Sequence, residues 1–395
     1  MKYIPSELPP PNSTVVVGMS GGVDSTLTAL LLKEKGCHVI GVTMSIWDGH
    51  IPEIPAVKNE KKFHDACYGP EEKEDIEECF KFCTEHNIEY HVIDVSKEYN
   101  KIVLEYFKEE YRKGKTPNPC IRCNSFIKFG ALLEGIKKIN IDFDYFCTGH
   151  YAMVVQPAKP VWKSKEKPYM IACPTDDSKD QSYFLYRLPS SILQKVRFPL
   201  ASLKKSKVFE LARNAKLKVA EKKESQDFID SKYLDYLFSD KPSVCGDFTD
   251  TSGNVLGRHK GIEHYTIGQR RGLGISSKKP LYVKEINPHT NKIILAEKSD
   301  LESISFIADD FVWPGNIEPD KPFKALVKIR LRSKSIPAKI ERYTPPPNDS
   351  HEYTGQPYKI TCTKKQTAVT PGQSVVIYKN NVIQGGGIIQ FPLEK

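Results

Sequence analysis

The sequence predicts a mixed α/β protein: an N-terminal domain built on a parallel sheet, a small connector domain and a C-terminal β-barrel. Three observations carry this. Apolar strand-like runs alternate with helical periodicity through the first half of the chain. Helices become scarce near residue 225. From residue 281 onward, short alternating strands follow one another with turn residues between them. The 395 residues exceed one ordinary core, and the domains on this reading are 1–224, 225–280 and 281–395.

The elements follow in order. STVVVG (13–18) is a β-branched run ending in glycine, and DSTLTALLLKEKG (24–36) continues with helical period and a glycine stop. CHVIGVTM (37–44) is a second buried strand, EEKEDIEECFKFCTEHN a helix and IEYHVIDV a third strand. In that helix Ile76, Cys79, Phe80 and Cys83 fall at i, i+3, i+4 and i+7, a stripe for the core. SKEYNKIVLEYFKEEYRKG is a helix with a serine cap, FIKFGALLEGIKK is helical, and DYFCTGHYA (144–152) is a strand. This alternation implies right-handed crossovers, with ligands at the C-terminal ends of the strands. KKSKVFELARNAKLKVAEKK is a last helical segment. Its Lys204, Lys205, Lys207, Arg213, Lys216 and Lys218 form either a phosphate-facing stripe or a solvated face.

HYTIGQRRGLGI (264–275) is a glycine-punctuated connector. LYVKEI, KIILAE, ALVKIRLRS, PAKIERY, YKITCT, QSVVIYK and NVIQGGGIIQF read as strands of the barrel. Arg330 and Arg332, two residues apart, share one face of the third of these. TPPPNDSHEYTGQP (344–357) reads as a long, mobile hairpin loop.

Composition narrows the function classes. The chain is 39% hydrophobic and 27% charged, as in soluble globular proteins, and no apolar run is long enough to span a bilayer. The N-terminus has neither an apolar signal core nor an Arg-rich transit pattern. The formal charge of +9 leans toward a polyanionic partner. Ten scattered cysteines point to reduced thiols and a cytoplasmic location, and a monomer is the default.

Two stretches carry chemistry. In 18-GMSGGVDST-26 an apolar strand runs through adjacent glycines into a helix, so backbone N–H groups and the helix N-terminus make an anion cradle. The spacing is neither a Walker loop nor G-x-G-x-x-G. In 116-TPNPCIRCNSFIKFG-130, Cys120 and Cys123 are a metal clip, a disulfide, a nucleophile with a neighbour, or two buried small residues.

SGGxDS at a strand–helix junction resembles the PP-loop of ATP pyrophosphatases. TPNPC-x-x-CN-x-x-IKFG, TGHYA (148–152), SKDQSYFL (178–185), ESQD (224–227), YTIGQRRGLGI (265–275) and TPGQSVVIY (370–378) follow in order. Together they resemble the tRNA-specific 2-thiouridylases of the MnmA type (the TrmU family) over nearly the whole chain. The resemblance implies an N-terminal Rossmann-like PP-loop domain and an enzyme, a sulfurtransferase using ATP and Mg²⁺. It implies adenylation of the C2 oxygen of the wobble uridine, position 34, followed by displacement of AMP by sulfur from a cysteine persulfide or bound sulfide.

Carried over by position, Gly18, Met19, Ser20, Gly21, Gly22, Val23, Asp24, Ser25, Met44 and Gly149 are the implied ATP residues, with Asp24 toward Mg²⁺. Cys123 is the implied nucleophile. A place in the first turn of a helix beside Arg122 agrees, because a helix N-terminus and a cation both lower a thiol pKa. The implied tRNA residues are Asn118, Pro119, Cys120, His150, Lys179, Asp180, Gln181, Arg330, Arg332 and Gln373. The implied partners are tRNAs for Lys, Glu and Gln and a sulfur donor such as a cysteine desulfurase or sulfur-relay protein.

The chain departs from this pattern at one place. The family's persulfide cysteine follows ESQ, as in ESQ-x-x-C-F, whereas here 224-ESQDFIDSKYLDYL-237 has none, as after a two-residue deletion. Cys120 and Cys123 then either share the work, one carrying sulfur and one resolving, or ligate an iron–sulfur cluster. Cys67, in DACYGP, is placed near the active-site mouth, and Cys245, shortly after the deletion point, is the better outside candidate for a third thiol. A zinc site joining Cys79 and Cys83 to Cys120 and Cys123 yields to their reading as core residues. The alternatives are a tRNA-binding paralogue that has lost catalysis and another PP-loop adenylating enzyme.

Overall fold

The computed structural model describes residues 2–49, 66–160, 167–217, 219, 227–229 and 233–393. The chain forms two compact units, Met1–Val103 with Pro119–Tyr236, and Leu104–Asn118 with Leu237–Lys395.

The first unit holds β1 (Tyr3–Pro5), β2 (Thr14–Gly18), β3 (His38–Ser45), β4 (Ala66–Tyr68) and β5 (Glu89–Asp94). It continues with β6 (Tyr145–Thr148), β7 (Met153–Pro157), β8 (Met170–Ala172), β9 (Val196–Arg197) and β10 (Asp227–Ile229). Five of these make an all-parallel sheet in the order β5-β3-β2-β6-β9. Val15, Val16 and Val17 are all inaccessible, as a central strand covered on both faces requires. β7 pairs antiparallel with β1 and β8, and β4 pairs parallel with β10.

Helices α1 (Val23–Glu34) and α2 (Glu72–Glu85) follow β2 and β4. α3 opens as Pro119–Arg122, passes through a π-helical stretch Cys123–Ala131 and closes as Leu132–Lys138. α4 is Lys205–Asn214. Cys79 and Cys83 of α2 pack with Val15, Val17, Met19 and Leu32. They are core residues, as their spacing predicts. Phe80 instead stays 58% exposed, leaning toward Tyr90 at the rim, while the neighbouring Phe82 packs against the core. A second cluster joins Val23, Leu27 and Leu30 of α1 to Val208 and Ala212 of α4. The expected serine cap is a carboxylate: Asp94 accepts the N–H of Ser96 at 2.9 Å. The Ser96 hydroxyl, and after it that N–H, hold the Asp94 pKa below its ordinary value.

The second unit contains a helix, Glu105–Arg112, and ten strands in two sheets. β11 (Gly246–Thr249), β12 (Val255–His259), β13 (Tyr282–Asn287) and β14 (Lys292–Ala296) form one, in the order β12-β11-β14-β13. The barrel comprises β15 (Glu302–Val312), β16 (Phe323–Lys328), β17 (Ile336–Arg342), β18 (Tyr358–Thr367), β19 (Ser374–Lys379) and β20 (Val382–Pro392). The order β20-β15-β18-β17-β16-β19 closes because β19 also pairs with β20. Phe306, Val327, Ile340, Ile360, Val375, Ile377 and Ile389 fill its interior.

The structure corrects four expectations here. LYVKEI and KIILAE, read with the barrel, are β13 and β14 of the other sheet, because β14 pairs with β11 and β13 and not with a barrel strand. β15 has no counterpart among the predicted strands, because Asp309 and Asp310 interrupt its alternation. Asp309 is 1% exposed, yet its carboxylate accepts the Thr354 N–H at 2.7 Å and a bond from Gln390. The same Thr354 bond anchors the 344–357 connection that reads as mobile. Arg330 and Arg332 lie beyond the end of β16, in a turn and not on a strand face. Ser333 closes that turn, donating its N–H at 3.1 Å and its hydroxyl at 2.8 Å to the Arg330 carbonyl.

Gly385 of β20 has φ +145°, and a methyl group there would lie 2.5 Å from the Trp313 ring and 2.8 Å from the Val312 carbonyl. Gly385→Ala is expected to destabilise the protein by about 3 kcal/mol, from strain and overpacking together. A urea midpoint equal to that of the wild type would contradict this.

Candidate active site

The glycine-rich loop leaves β2 where the sheet register sets Gly18 between Val42 of β3 and Thr148 of β6. A Cβ on Gly18 would meet Phe146 at 3.2 Å and Thr148 at 3.3 Å, so the crossing is tight. Met19 turns inward, its sulfur 3.5 Å from Cys83 Sγ, and with Val23 it serves the core. Gly21 takes a left-handed φ of +68°, and its N–H donates to Cys79 Sγ at 3.1 Å. The core thiol therefore braces the loop from behind. Ser25 Oγ accepts the Ser20 N–H at 3.2 Å and donates to the Gly22 carbonyl at 3.1 Å. Gly22 caps the 12-residue α1 without a side-chain bond, so the positive end of the helix dipole opens at the strand ends. Met44 sits half-buried near the end of β3, two residues past the partner of Gly18.

Asp24 is the hub of this end. Lys205 Nζ lies 2.7 Å from both of its carboxylate oxygens, and the Tyr151 hydroxyl donates to Oδ1 at 2.8 Å. Lys205 is 6% exposed, with its own N–H on Asp176 at 2.8 Å. It is a buried ion-pair partner and not one of a surface stripe. Lys204, Lys207, Arg213 and Lys216 are exposed, Lys207 paired with Glu210 at 2.6 Å, and Lys218 lies outside the described residues. A Cβ on Gly149 would fall 2.7–2.8 Å from Asp24 and the Ser25 N, so only glycine lets the TGH turn rest on the first turn of α1. Gln181 holds the next residue, accepting the Tyr151 N–H at 2.9 Å and donating its own N–H to the Tyr151 carbonyl at 3.0 Å.

The thiols form a second group in the same unit. Cys123 begins the π-helical stretch one turn after Pro119, so it is not in the first turn of α3. Cys120 and Cys123 are both half-buried, and Asn124 donates to the Cys120 carbonyl at 2.9 Å. Burial pushes the Cys123 thiol up to about 11, while Lys128 pulls the other way and Cys67 adds to the rise. The lowered pKa expected from sequence is thus reversed, because desolvation outweighs the helix end. The cation that acts on the thiol is Lys128; the Arg122 guanidinium lies over the Phe126 ring at 5.3 Å. Lys128 also acts on His150, whose pKa is driven well below its ordinary value, by burial first and by this charge second. His150 is therefore a neutral imidazole beside Phe129 and Phe198, with Nδ1 2.7 Å from Thr148 Oγ1. Tyr99 is buried nearby, and its phenol is held protonated by burial, then by the charges of Cys123, Cys67 and Cys120.

Other residues implied by resemblance hold the scaffold. Asp180 accepts the Ser182 N–H at 3.0 Å and its hydroxyl at 2.6 Å, just after the short 3-10 turn that ends at Lys179. In the second unit, Gln373 donates to the carbonyl of Thr116 at 2.9 Å, and Thr116 donates to that of Pro371 at 2.8 Å. The TPGQ turn thus grips the chain just before Asn118. Arg330 donates to Thr370 Oγ1 at 2.7 Å and to the Ala368 carbonyl, while Arg332 is exposed. Among the described residues, no three His, Cys, Asp or Glu side chains converge to hold a metal ion. No described helix is long and apolar enough to cross a membrane.

A parallel sheet whose central strand turns through glycines into a helix N-terminus, with thiols on a helix of the same unit, defines a PP-loop enzyme. Residues 13–230 match the tRNA methyl transferase HUP domain, 232–297 the tRNA methyl transferase PRC-barrel domain, and 303–389 the aminomethyltransferase beta-barrel domain. The chain is 42% identical over 377 residues to the tRNA-specific 2-thiouridylase MnmA of Endomicrobium trichonymphae, covering 95% of this chain and 98% of that one. It is 39% identical over 383 residues to the MnmA of Carboxydothermus hydrogenoformans, covering 95% and 97%. The chain belongs to the tRNA-specific 2-thiouridylase family, and so to the sulfurtransferases. Among solved structures, the U34-tRNA thiolase NcsA from Methanococcus maripaludis with its 4Fe–4S cluster is similar over 57% of this chain and 64% of its own, at 19% identity and a TM-score of 0.33.

Two outcomes follow from the geometry. Lys205→Met strands the Asp24 carboxylate and is expected to cost about 3 kcal/mol in chemical denaturation, most of it recovered by adding Asp24→Asn. Additive losses in that cycle would show the pair to be uncoupled. With a thiol pKa of about 11, alkylation of Cys123 should climb about tenfold per pH unit from 7 to 10. Lys128→Met should slow it at every pH, and a rate that levels off near pH 8 would refute the buried-thiol account.

Proposed function

We propose that this protein is an ATP-dependent tRNA-uridine 2-sulfurtransferase acting on the wobble position, uridine 34, in the cytoplasm. The observation that carries the reading is the TGH turn. Gly149 rests on the first turn of α1, and the next residue, His150, lies with its ring 6.1 Å from that of Phe129, in the helical stretch that begins at Cys123. The loop suited to phosphates and the thiol suited to sulfur transfer are thereby coupled within one unit.

On this reading Ser20, Gly21, Gly22 and the first turn of α1 receive the phosphates of ATP, with Met44 beside the base. The C2 oxygen of uridine is a poor leaving group, and adenylation turns it into the phosphate oxygen of AMP. Sulfur then replaces it at C2. Asn118, Pro119, Cys120, Lys179 and Arg332 are proposed tRNA contacts, and tRNAs for Lys, Glu and Gln the substrates. His150, Asp180, Gln181, Arg330 and Gln373 shape that surface through the bonds described. Mg²⁺ would screen the phosphates. Asp24, which Lys205 and Tyr151 hold in the first turn of α1, would be the residue toward the ion. An iron–sulfur cluster on Cys120 and Cys123 would need further ligands, and among the described residues no three His, Cys, Asp or Glu side chains converge to hold a metal ion. A cysteine desulfurase or relay protein would supply the sulfur to a monomeric enzyme of domains 1–224, 225–280 and 281–395.

The test is direct. Protein, ATP, Mg²⁺, a persulfide donor and tRNA for Lys, Glu or Gln should yield 2-thiouridine by nucleoside mass spectrometry, with one AMP per product. Cys123→Ser is expected to lower product by roughly 10³-fold or more while AMP transfer to tRNA persists. Wild-type protein that binds tRNA but makes no 2-thiouridine, in air or without oxygen, would mark it as a binding paralogue.

A further inference from the structure

The stretch after Ser225 has no cysteine before Cys245. Its first residues form β10, which runs parallel to β4 with Asp227 opposite Ala66 and Ile229 opposite Tyr68. That register sets Cys67 across from Phe228, on the strand bonded to the segment where the family's second thiol belongs. β4 is itself fixed in place. Tyr68 stacks on Tyr99 with centroids 5.4 Å apart and planes at 12°, and it donates to Asp48 at 3.1 Å. Asn100 donates to the other oxygen of that carboxylate at 2.9 Å. The short helix Ser96–Tyr99 packs on the π-helical stretch that begins at Cys123. The stacked tyrosines therefore set the strand of Cys67 beside the helix that carries Cys123. Cys245, the better candidate from sequence, belongs to the other unit.

We propose that Cys67 is the second thiol of sulfur transfer, carrying the transferable sulfur as a persulfide that Cys123 resolves. The assignment rests on the thiolase reading above. Cys67 is exposed, as a thiol that meets a macromolecular donor must be, whereas Cys123 is half-enclosed. Cys67 Sγ attacks the outer sulfur of the donor persulfide, forming Cys67–S–SH and releasing the donor thiolate. The outer sulfur loses its proton and attacks C2 of the activated uridine, and AMP departs with the C2 oxygen. Cys123 thiolate then attacks Cys67 Sγ. The S–S bond to the nucleoside breaks, its electron pair stays on the uridine sulfur, and a Cys67–Cys123 disulfide forms. The transferred sulfur is reduced, the two thiols are oxidised, and a dithiol reductant resets the enzyme.

Single-turnover reactions decide the matter, using full-length protein, ATP, tRNA and a ³⁴S-labelled low-molecular-weight persulfide, with no reductant. Peptide mass spectrometry should find ³⁴S on Cys67 before ATP is added, and a Cys67–Cys123 cross-link in proportion to 2-thiouridine afterwards. C67S should lose at least roughly 50-fold of product, with AMP transfer to tRNA within about twofold of wild type, and C67A should match it. C67S at the wild-type rate, or a cross-link joining Cys120 to Cys123, would overturn the assignment while leaving the thiolase reading intact. So would turnover that requires a reconstituted iron–sulfur chromophore which C67S cannot form. Wild-type protein that makes no 2-thiouridine would instead overturn the thiolase reading, and this assignment with it.

Discussion

A half-buried carboxylate at the start of a helix meets a buried ammonium from a distant helix, and much of the nucleotide end of this protein depends on their pairing. Asp24 lies in the first turn of α1, where its charge complements the helix dipole. Lys205, 181 residues later, is nearly inaccessible and lies 2.7 Å from both carboxylate oxygens. The buried ammonium is costly without its partner, so the pairing fixes both side chains. Tyr151 adds its hydroxyl, Gln181 holds the Tyr151 backbone, and Gly149 is pressed onto α1 with no space for a methyl group. Three sequence motifs far apart in the chain are thus parts of one buried assembly. The loop from Ser20 to Ser25 inherits its shape from that assembly and from the thiol of Cys79 behind it.

The thiol end obeys a different balance. Desolvation dominates at Cys123 and leaves it protonated at neutral pH, and Lys128 offsets this only in part. A thiol restrained in this way suits a residue that acts late, on a sulfur already delivered, better than one exposed to every electrophile in the cell. The same lysine helps keep His150 neutral, so the imidazole packs and accepts hydrogen bonds without carrying charge. One cation therefore pushes two groups the same way, toward deprotonation: it favours the thiolate and disfavours the imidazolium, and both effects are electrostatic.

Local signals were legible in the sequence where they repeat a period. Val15–Val17 read as a buried strand, the Cys79 and Cys83 spacing as a core stripe, and the last five barrel strands as alternation, and each is found so, whereas LYVKEI and KIILAE alternate in the other sheet. Side-chain destinations set by tertiary contact were not legible. Lys205 looks like its exposed lysine neighbours, and only the fold of the chain brings it to Asp24. Arg330 and Arg332 continue an alternating run by letter, but Ser333 folds the backbone back and ends the strand. Gln181 and Gln373 stand at positions that resemblance assigns to RNA contact, yet their amides bond the protein's own backbone. β15 was hidden because the burial of Asp309 is compensated by Thr354 and Gln390, partners remote in sequence. Cys67 carried no periodic signal at all.

The missing cysteine shows why such a change need not disturb the fold. Side chains alternate along a strand with period two, so the loss of two residues leaves the remainder on their original faces. Loss of one residue would turn every following side chain over and force the buried Ile229 outward. A two-residue shortening after ESQ is therefore the smallest deletion that preserves the pairing of β10 with β4. The neighbouring strand presents a thiol, Cys67, in the ladder position across from Phe228. Within this geometry the transfer of a role from one strand to its partner requires no new backbone, only a cysteine at the residue between Ala66 and Tyr68.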